Sequence, residues 1–157
     1  MHSMHTLEVL LPETKVFAGL QPDQLALIAG CARNVRFAPG EQLFRQGEPA
    51  DTFYLIREGQ VSSEIWVPGR GAARLETIEE GEIVGWSWLI PPYRWHSDAH
   101  ALDTVRALAF DGACLRGKCD TDPALGYELL RRFSGLLVES LEATQLRLID
   151  VYGRLPA

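Results

Sequence analysis

The sequence predicts a mainly β protein, an antiparallel sandwich or barrel with helices at both ends. Between residues 33 and 111, short β-like runs alternate with glycine-containing turns, which is typical of this fold class. The flanking segments, 1–32 and 112–157, instead carry apolar residues at helical spacing. With 157 residues, 46% of them hydrophobic, the chain is long enough for one domain with a core of normal size.

The N-terminal segment, 1–32, contains the stretch LQPDQLALIAGC, whose apolar residues lie near helical spacing. Pro22 and Gly30 are suitable start and stop signals for this helix. The predicted strands that follow are NVRF, EQLF, TFYLI, QVSSEIWV, ARLETI, SDAHAL and TVRALAF. Glycine-containing pairs between the early strands, such as PG at 39–40 and EG at 58–59, predict tight turns.

The C-terminal segment, 112–157, contains one long helical pattern that begins at Asp122, a suitable N-cap, and Pro123. Its apolar stripe is close to a heptad seam and consists of Leu130, Phe133, Leu137, Leu141, Thr144, Leu148 and Val151. About four heptads exceed what a small barrel can bury. We therefore expect a homodimer through this helix; the alternative is a helix that folds back on its own barrel.

Charge and composition favour a cytoplasmic protein without a nucleic-acid or membrane partner. The net charge is −6 and the pI is about 5.2, whereas a free-standing nucleic-acid binder carries a basic stripe. The sequence has no apolar run long enough for a transmembrane helix, and its start lacks the features of a signal peptide. Its three cysteines, Cys31, Cys114 and Cys119, suit a reducing compartment better than a disulfide framework.

Three of the four tryptophans lie in the eleven-residue motif GWSWLIPPYRW, at residues 85–95. A small protein has room for few side chains of this size in one place. The motif follows a predicted glycine turn and contains two prolines and an arginine. Crowding of this kind marks it as the most informative stretch of the sequence for function.

The order of elements resembles the cyclic nucleotide-binding domain of the bacterial catabolite-activator and fumarate-nitrate regulator (Crp/Fnr) type. FAPGEQLFRQGEPADTFYLIREGQV at 37–61 resembles the family's first strands. The tryptophan motif falls in its phosphate-binding cassette, and residues 129–150 resemble its dimerisation helix. The resemblance implies a double-stranded β-helix (jelly-roll) barrel and a regulatory protein, not an enzyme. The family's transcription factors continue into a helix-turn-helix domain, which is not seen in this sequence.

The cassette departs from the family pattern at both of its polar anchors. That pattern reads approximately F-G-E-x-A-L, then P-R-x-A, where Glu binds the ribose and Arg pairs with the cyclic phosphate. An alignment without gaps places Gly85 on the family's glycine, Trp86 on its Glu and Trp95 on its Arg. The ribose then lacks its acceptor, and the phosphate lacks its cation.

Several interpretations of this site remain open. A one-residue slip would bring Arg94 to the phosphate and retain a cyclic AMP sensor, and a protonated His96 could also bind an anion. Otherwise, the tryptophans either plug the pocket, leaving a protein-interaction module, or form the aromatic walls of a pocket for a different small ligand, flatter or more apolar, that is held by stacking. Trp88 could equally well pack the end of the barrel. The candidate ligand-binding residues are Gly85, Trp86, Ser87, Trp88, Arg94, Trp95, His96, Thr144 and Gln145.

Two other constellations favour different chemistry more weakly. His96, Asp98 and His100 alternate along a predicted strand and so share one face, as metal ligands in a cupin-like enzyme would. No further histidine follows His100 to complete a cupin pattern, and a polar strand edge explains the three residues equally well. The cysteines could form a thiol sensor or an iron–sulfur site, although inert thiols are the simpler interpretation.

The sequence therefore predicts a regulatory ligand-sensing module that signals through its C-terminal helix. The expected mechanism is a change in the packing of the terminal helices when the pocket fills. A protein partner would receive this output. The sequence names neither that partner nor the ligand, and it identifies no cofactor.

Overall fold

The computed structural model describes residue 7 and residues 9–154, and its architecture is a jelly-roll barrel with flanking helices. The predicted fold class is therefore confirmed. Two four-stranded antiparallel sheets form the barrel, in the orders β1-β8-β3-β6 and β2-β7-β4-β5. The strands are β1 (Ala32–Phe37), β2 (Gln42–Phe44), β3 (Thr52–Glu58), β4 (Val61–Val67), β5 (Gly71–Ile78), β6 (Ile83–Val84), β7 (Asp98–Ala101) and β8 (Val105–Asp111).

Seven of these strands form where the sequence predicts them, because side chains alternate between the barrel interior and the outside along most of them. The short strand β6 was not predicted. In β7 the burial alternates from residue to residue, whereas β8 lies between β1 and β3 and has four consecutive buried residues. Gly59, in the turn between β3 and β4, has a φ of +90°. A Cβ atom at this position would lie 2.4 Å from the carbonyl oxygen of Thr104, so the tight turn requires glycine.

Among the helices that lie wholly within the described residues, three α-helices flank the barrel: α1 (Pro22–Ala29), α2 (Gly112–Thr121) and α3 (Pro123–Gly153). A 3₁₀ turn, Leu11–Glu13, precedes α1. The predicted start of α3 is confirmed, because the Asp122 side chain accepts a hydrogen bond from the Leu125 N–H and Pro123 opens the helix. Within the described ranges, no helix is both long enough and apolar enough to cross a membrane.

The buried apolar side chains of the described residues form two hydrophobic clusters. The helical cluster lies where the helices pack on the β1-β8-β3-β6 sheet, and its largest members are Phe17, Phe53, Trp88, Phe110 and Phe133. The barrel cluster lies between the two sheets and includes Phe44, Ile56, Val61, Val84, Trp95 and Val105. The tryptophan motif thus contributes one buried indole ring to each cluster.

The long helix α3 changes character along its length. Leu125, Leu129 and Phe133 in its first three turns are buried, because they pack into the helical cluster. Farther along, every described residue from Thr144 onward is exposed. The apolar side chains of this second half therefore have no covering partner within the described chain.

Candidate ligand-binding site

A cavity of about 500 Å³ lies between the barrel and α3. Its walls come from β5, from β6 with the start of the tryptophan motif, from the segment before β7 and from α3. Its volume falls in the range of small-molecule sites. The tryptophans do not fill it, so the structure does not favour the interpretation of a plugged pocket.

Trp95 forms part of the cavity wall and closes the barrel interior beneath it. Its side chain is 6% exposed and stacks on Phe44 with the ring centroids 3.6 Å apart. Gly85 lies against this indole with a φ of +100°, and a Cβ atom there would lie 2.7 Å from two indole carbons. Gly85 is therefore required both by its backbone conformation and by the close approach of Trp95.

Trp86 and His96 present stacked rings to the same cavity. Their centroids are 4.7 Å apart, with an angle of 27° between the planes. The His96 Nδ1 lies 3.0 Å from the Oγ of Ser87, which is buried. These three residues, all predicted as site residues, are brought together at the cavity wall.

Trp88 lies elsewhere, on the opposite side of the motif. Its side chain is fully buried in the helical cluster, where it stacks on Phe53 and meets Phe133 edge-on. It is not one of the residues that line the cavity. Trp88 therefore packs at the end of the barrel, as the simpler interpretation of its sequence position proposes.

The backbone of the PPYRW turn determines which side chains face the cavity. The Trp95 N–H donates to the carbonyl of Glu48, the Trp95 carbonyl accepts from the Gly47 N–H, and the Tyr93 carbonyl accepts from the Ala50 N–H. Since neighbouring side chains in extended backbone point to opposite sides, Trp95 faces inward and Arg94 outward. Arg94 is exposed and donates to the Gly47 carbonyl, 3.3 Å away.

The slip that would bring Arg94 to the phosphate position is thus not observed, and Arg94 does not line the cavity.

A residue that sequence analysis did not identify, Arg116, helps to hold the PPYRW turn. The Arg116 guanidinium donates to the carbonyl of Trp88 at 2.5 Å, pairs with Asp51 and lies 4.3 Å from the ring centre of Tyr93.

Each basic side chain at the cavity, among the residues that the structure describes, already has a polar partner. Two basic side chains line it, Lys15 and Arg132. Arg132 donates to the carbonyls of Val16 and Ala18, which uses its guanidinium to fix the N-terminal segment. Lys15 is 90% exposed and lies 3.4 Å from Glu139, a weak surface pair.

Three carboxylates also line the cavity: Glu76, Glu82 and Glu139. Burial raises the pKa of Glu76, while a hydrogen bond from the Ser140 hydroxyl, 3.1 Å away, acts in the opposite direction. This bond connects β5 to α3 directly across the cavity wall. The lining formed by the described residues is therefore mainly apolar and, where charged, more acidic than basic.

The two candidates on α3 differ in position. Thr144 lines the cavity, as expected for a residue facing a ligand, whereas Gln145 does not. Sequence analysis missed Ser140, Glu76 and the buried Ser63, all of which line the cavity. The only sequence signal for Ser140 is a polar residue four positions before Thr144, on the same helix face.

The three residues of the predicted metal site, His96, Asp98 and His100, each contact a different side chain or backbone group instead of one another. The Asp98 carboxylate accepts from the Gln46 N–H at 2.7 Å, His100 pairs with Glu64 and His96 contacts Ser87. His96 also precedes β7 rather than lying on it. No group of three potential metal ligands occurs among the residues that the structure describes.

The fold and the cavity correspond to a known family. The family model of the cyclic nucleotide-binding domain matches residues 34–122, more than half of the chain. The chain belongs to this family. The predicted resemblance to Crp/Fnr-type domains is thereby confirmed.

Individual relatives agree with this assignment. The CRP-like cAMP-activated global transcriptional regulator of Mycobacterium tuberculosis is 26% identical over 92% of this chain, which spans 63% of that regulator's length. A putative cyclic nucleotide-binding protein from Geobacter metallireducens is 30% identical, with a TM-score of 0.77 over 90% of this chain and 99% of that one. The N-terminal domain of a Streptomyces coelicolor transcriptional regulator is 27% identical, with a TM-score of 0.67 over 85% and 93% of the two chains.

Proposed function

We propose that this chain is a non-enzymatic regulatory sensor domain that binds a small planar ligand without the ion pair between arginine and phosphate. The observation that carries the proposal is an open cavity of about 500 Å³ whose lining includes Trp95 but not Arg94. Membership of the cyclic nucleotide-binding family supports a nucleotide-like ligand.

The contacts available to a ligand favour ring recognition over charge recognition. Trp86 and Trp95 offer aromatic surface, on which a flat ring system stacks favourably. Ser87, His96 and Thr144 offer side-chain hydrogen-bonding groups along the same cavity. Burying an anion without a cation is costly, so a phosphate would add little to the affinity.

The matched ligands for a test are cyclic AMP and adenosine, since they share the base and ribose and only the first carries a phosphate. A charge-assisted hydrogen bond contributes ~1.5–3 kcal/mol, which is roughly a 10- to 100-fold change in affinity. Calorimetric titration should therefore give dissociation constants for the two ligands within about tenfold of each other. A preference for cyclic AMP of ~10- to 100-fold or more would contradict the proposal.

Two variants distinguish the remaining alternatives. Arg94→Ala should leave cyclic AMP affinity unchanged, because Arg94 faces away from the cavity and bonds to Gly47. Loss of cyclic AMP binding in this variant would instead support the alternative of a cyclic AMP sensor that uses Arg94. His96→Ala should weaken both ligands to a similar extent, because the His96 ring stacks on Trp86.

We further propose that the output passes through α3. The first half of this helix is anchored in the helical cluster, its middle lines the cavity, and its second half is exposed. A ligand that contacts Ser140 or Thr144 would therefore act on the segment that carries the uncovered apolar stripe. A protein partner would read this change in packing.

The partner that best fits this stripe is a second copy of the chain, as a parallel pair of α3 helices. Leu141, Leu148 and Val151 are each more than half exposed and keep the heptad spacing. Leu148→Glu should convert a dimer into a monomer in size-exclusion chromatography with light scattering. Leu146→Glu is the matched control, because Leu146 is 67% exposed but lies off the stripe. A wild-type monomer, or equal effects of both changes, would contradict this assembly.

A further inference from the structure

Two cysteines far apart in sequence have their sulfur atoms in contact. Cys31, between α1 and β1, and Cys114, in the first turn of α2, are 83 residues apart, yet their Sγ atoms are separated by 2.7 Å. A disulfide bond has a length of about 2.05 Å, so the sulfurs need to approach by only a fraction of an ångström. Both are free thiols in this structure.

Asp111 holds both cysteines in this position. Its backbone N–H donates to the carbonyl of Cys31 at 2.9 Å. Its side chain caps α2 by accepting from the Cys114 N–H, also at 2.9 Å. The contact between the sulfurs therefore follows from the way in which the last barrel strand passes into α2, and ordering the two thiols requires no further rearrangement.

The surroundings of the two thiols differ. Cys31 is 7% exposed, whereas Cys114 is exposed and is the sulfur that an oxidant in solution reaches first. Burial and the hydrogen bond with Cys114 raise the pKa of Cys31 to about 12. The Lys118 ammonium group acts in the opposite direction and is held in place by the carbonyl of Leu27, 2.8 Å away.

We propose that Cys31 and Cys114 form a reversible disulfide site that reacts with hydroperoxides. The Cys114 thiolate attacks the terminal oxygen of the peroxide, so that an S–O bond forms and the O–O bond breaks. The other oxygen takes up the proton that Cys114 released and leaves as an alcohol or, from hydrogen peroxide, as water. The Cys31 sulfur then attacks the resulting sulfenic acid, the S–S bond forms, and the sulfenic hydroxyl leaves as water with the Cys31 proton. Two thiols are oxidised, one peroxide is reduced, and a dithiol reverses the reaction.

The bond would join the start of the barrel to the helix that follows it. Closing a loop of this length restricts the unfolded chain, so we expect the oxidised protein to melt on the order of 10 °C higher than the reduced one. In a reducing compartment such a bond is transient, which suits a sensor of oxidant rather than a permanent structural link.

The experiment treats the full chain with hydrogen peroxide and counts free thiols after denaturation. We expect the count to fall from three to one, the intact mass to fall by two hydrogen atoms, and peptide mapping to find Cys31 joined to Cys114. Dithiothreitol should restore all three thiols. The Cys119→Ser variant is the matched control and should still form the bond, because the short sulfur contact joins Cys31 to Cys114 and does not include Cys119.

The exposed residue provides the second variant. Cys114→Ser exchanges one atom of an exposed residue, so it should fold, and it should lose both the bond and the rise in melting temperature. Three thiols remaining after peroxide, oxygen added to Cys114 without a cross-link, or a bond that involves Cys119 or a second chain would each overturn the proposal. None of these results depends on whether the cavity binds a nucleotide.

Discussion

Trp88 and Trp95, seven residues apart in one motif, lie in two different regions of the molecule. Trp88 is buried among the helices and stacks on Phe53, whereas Trp95 is buried between the sheets and stacks on Phe44. Trp88 is remote from the cavity, while Trp95 occupies part of its wall. The tryptophans of one motif therefore belong to two separate packing environments, the helical cluster for Trp88 and the barrel cluster beside the cavity for Trp95.

The helical cluster should be the more sensitive region to the loss of an indole ring. Trp88→Ala should lower the free energy of unfolding by about 3–5 kcal/mol, the usual cost of removing a fully buried aromatic side chain. Urea denaturation followed by circular dichroism measures this change. Trp66→Ala is the control: Trp66 is 66% exposed, so its loss should cost no more than about 1 kcal/mol.

A second substitution tests whether Trp88 stabilises the protein only through the packing of its ring. The Trp88 Nε1 atom is buried and has no hydrogen-bond partner among the described residues. Trp88→Phe keeps a stacked ring and removes this unpaired donor, so it should cost clearly less than Trp88→Ala. Equal losses in the two variants would show that the Trp88 ring contributes little stacking in the helical cluster.

The contact between Gly85 and Trp95 tests the barrel region. Gly85→Ala should destabilise the protein by about 1–3 kcal/mol, because it adds a side chain at positive φ and brings the new Cβ against the indole. Gly81→Ala isolates the backbone effect, since Gly81 has a φ of +86° but a Cβ atom added there would have no neighbouring atom within 4 Å.

Gly85→Ala should lower the free energy of unfolding more than Gly81→Ala does. This difference should disappear when Trp95 is replaced by leucine, because the new Cβ at position 85 then no longer meets an indole ring. A double-mutant cycle of Gly85→Ala and Trp95→Leu measures this coupling. Strict additivity would contradict the close approach of Trp95 to Gly85.

Local sequence signals predicted most of the fold. The cap at Asp122, the proline at 123 and the alternation in SDAHAL each depend on neighbours within a few residues, so they can be recognised in one sequence. The orientation of Arg94 and Trp95 could not be predicted from the sequence, because it depends on hydrogen bonds with the segment 47–50. The same holds for Cys31 and Cys114 and for the bond between Ser140 and Glu76, which join distant parts of the chain.

The smallest expected effect concerns Glu76 at the edge of the cavity. Because burial raises its pKa in the folded state, the folded protein binds this proton more tightly than the unfolded chain does. The ionised Glu76 therefore lowers the free energy of unfolding. This loss of stability is fully present above the raised pKa and disappears as the pH falls below the pKa that Glu76 has in the unfolded chain. Glu76→Gln should raise the melting temperature slightly at pH 7, and this gain should vanish in acid. A gain that grows in acid would contradict the direction of the shift.

The most direct test of the central claim follows the indole N–H signals of the four tryptophans by NMR during titration with cyclic AMP and with adenosine. Each signal is assigned by its Trp→Phe variant. We expect both ligands to move the Trp86 signal most, because this ring lines the cavity, and to leave those of Trp66 and Trp88 in place. A larger movement at Trp88, or no movement at Trp86 with millimolar concentrations of either ligand, would contradict an open nucleotide-like site at this cassette.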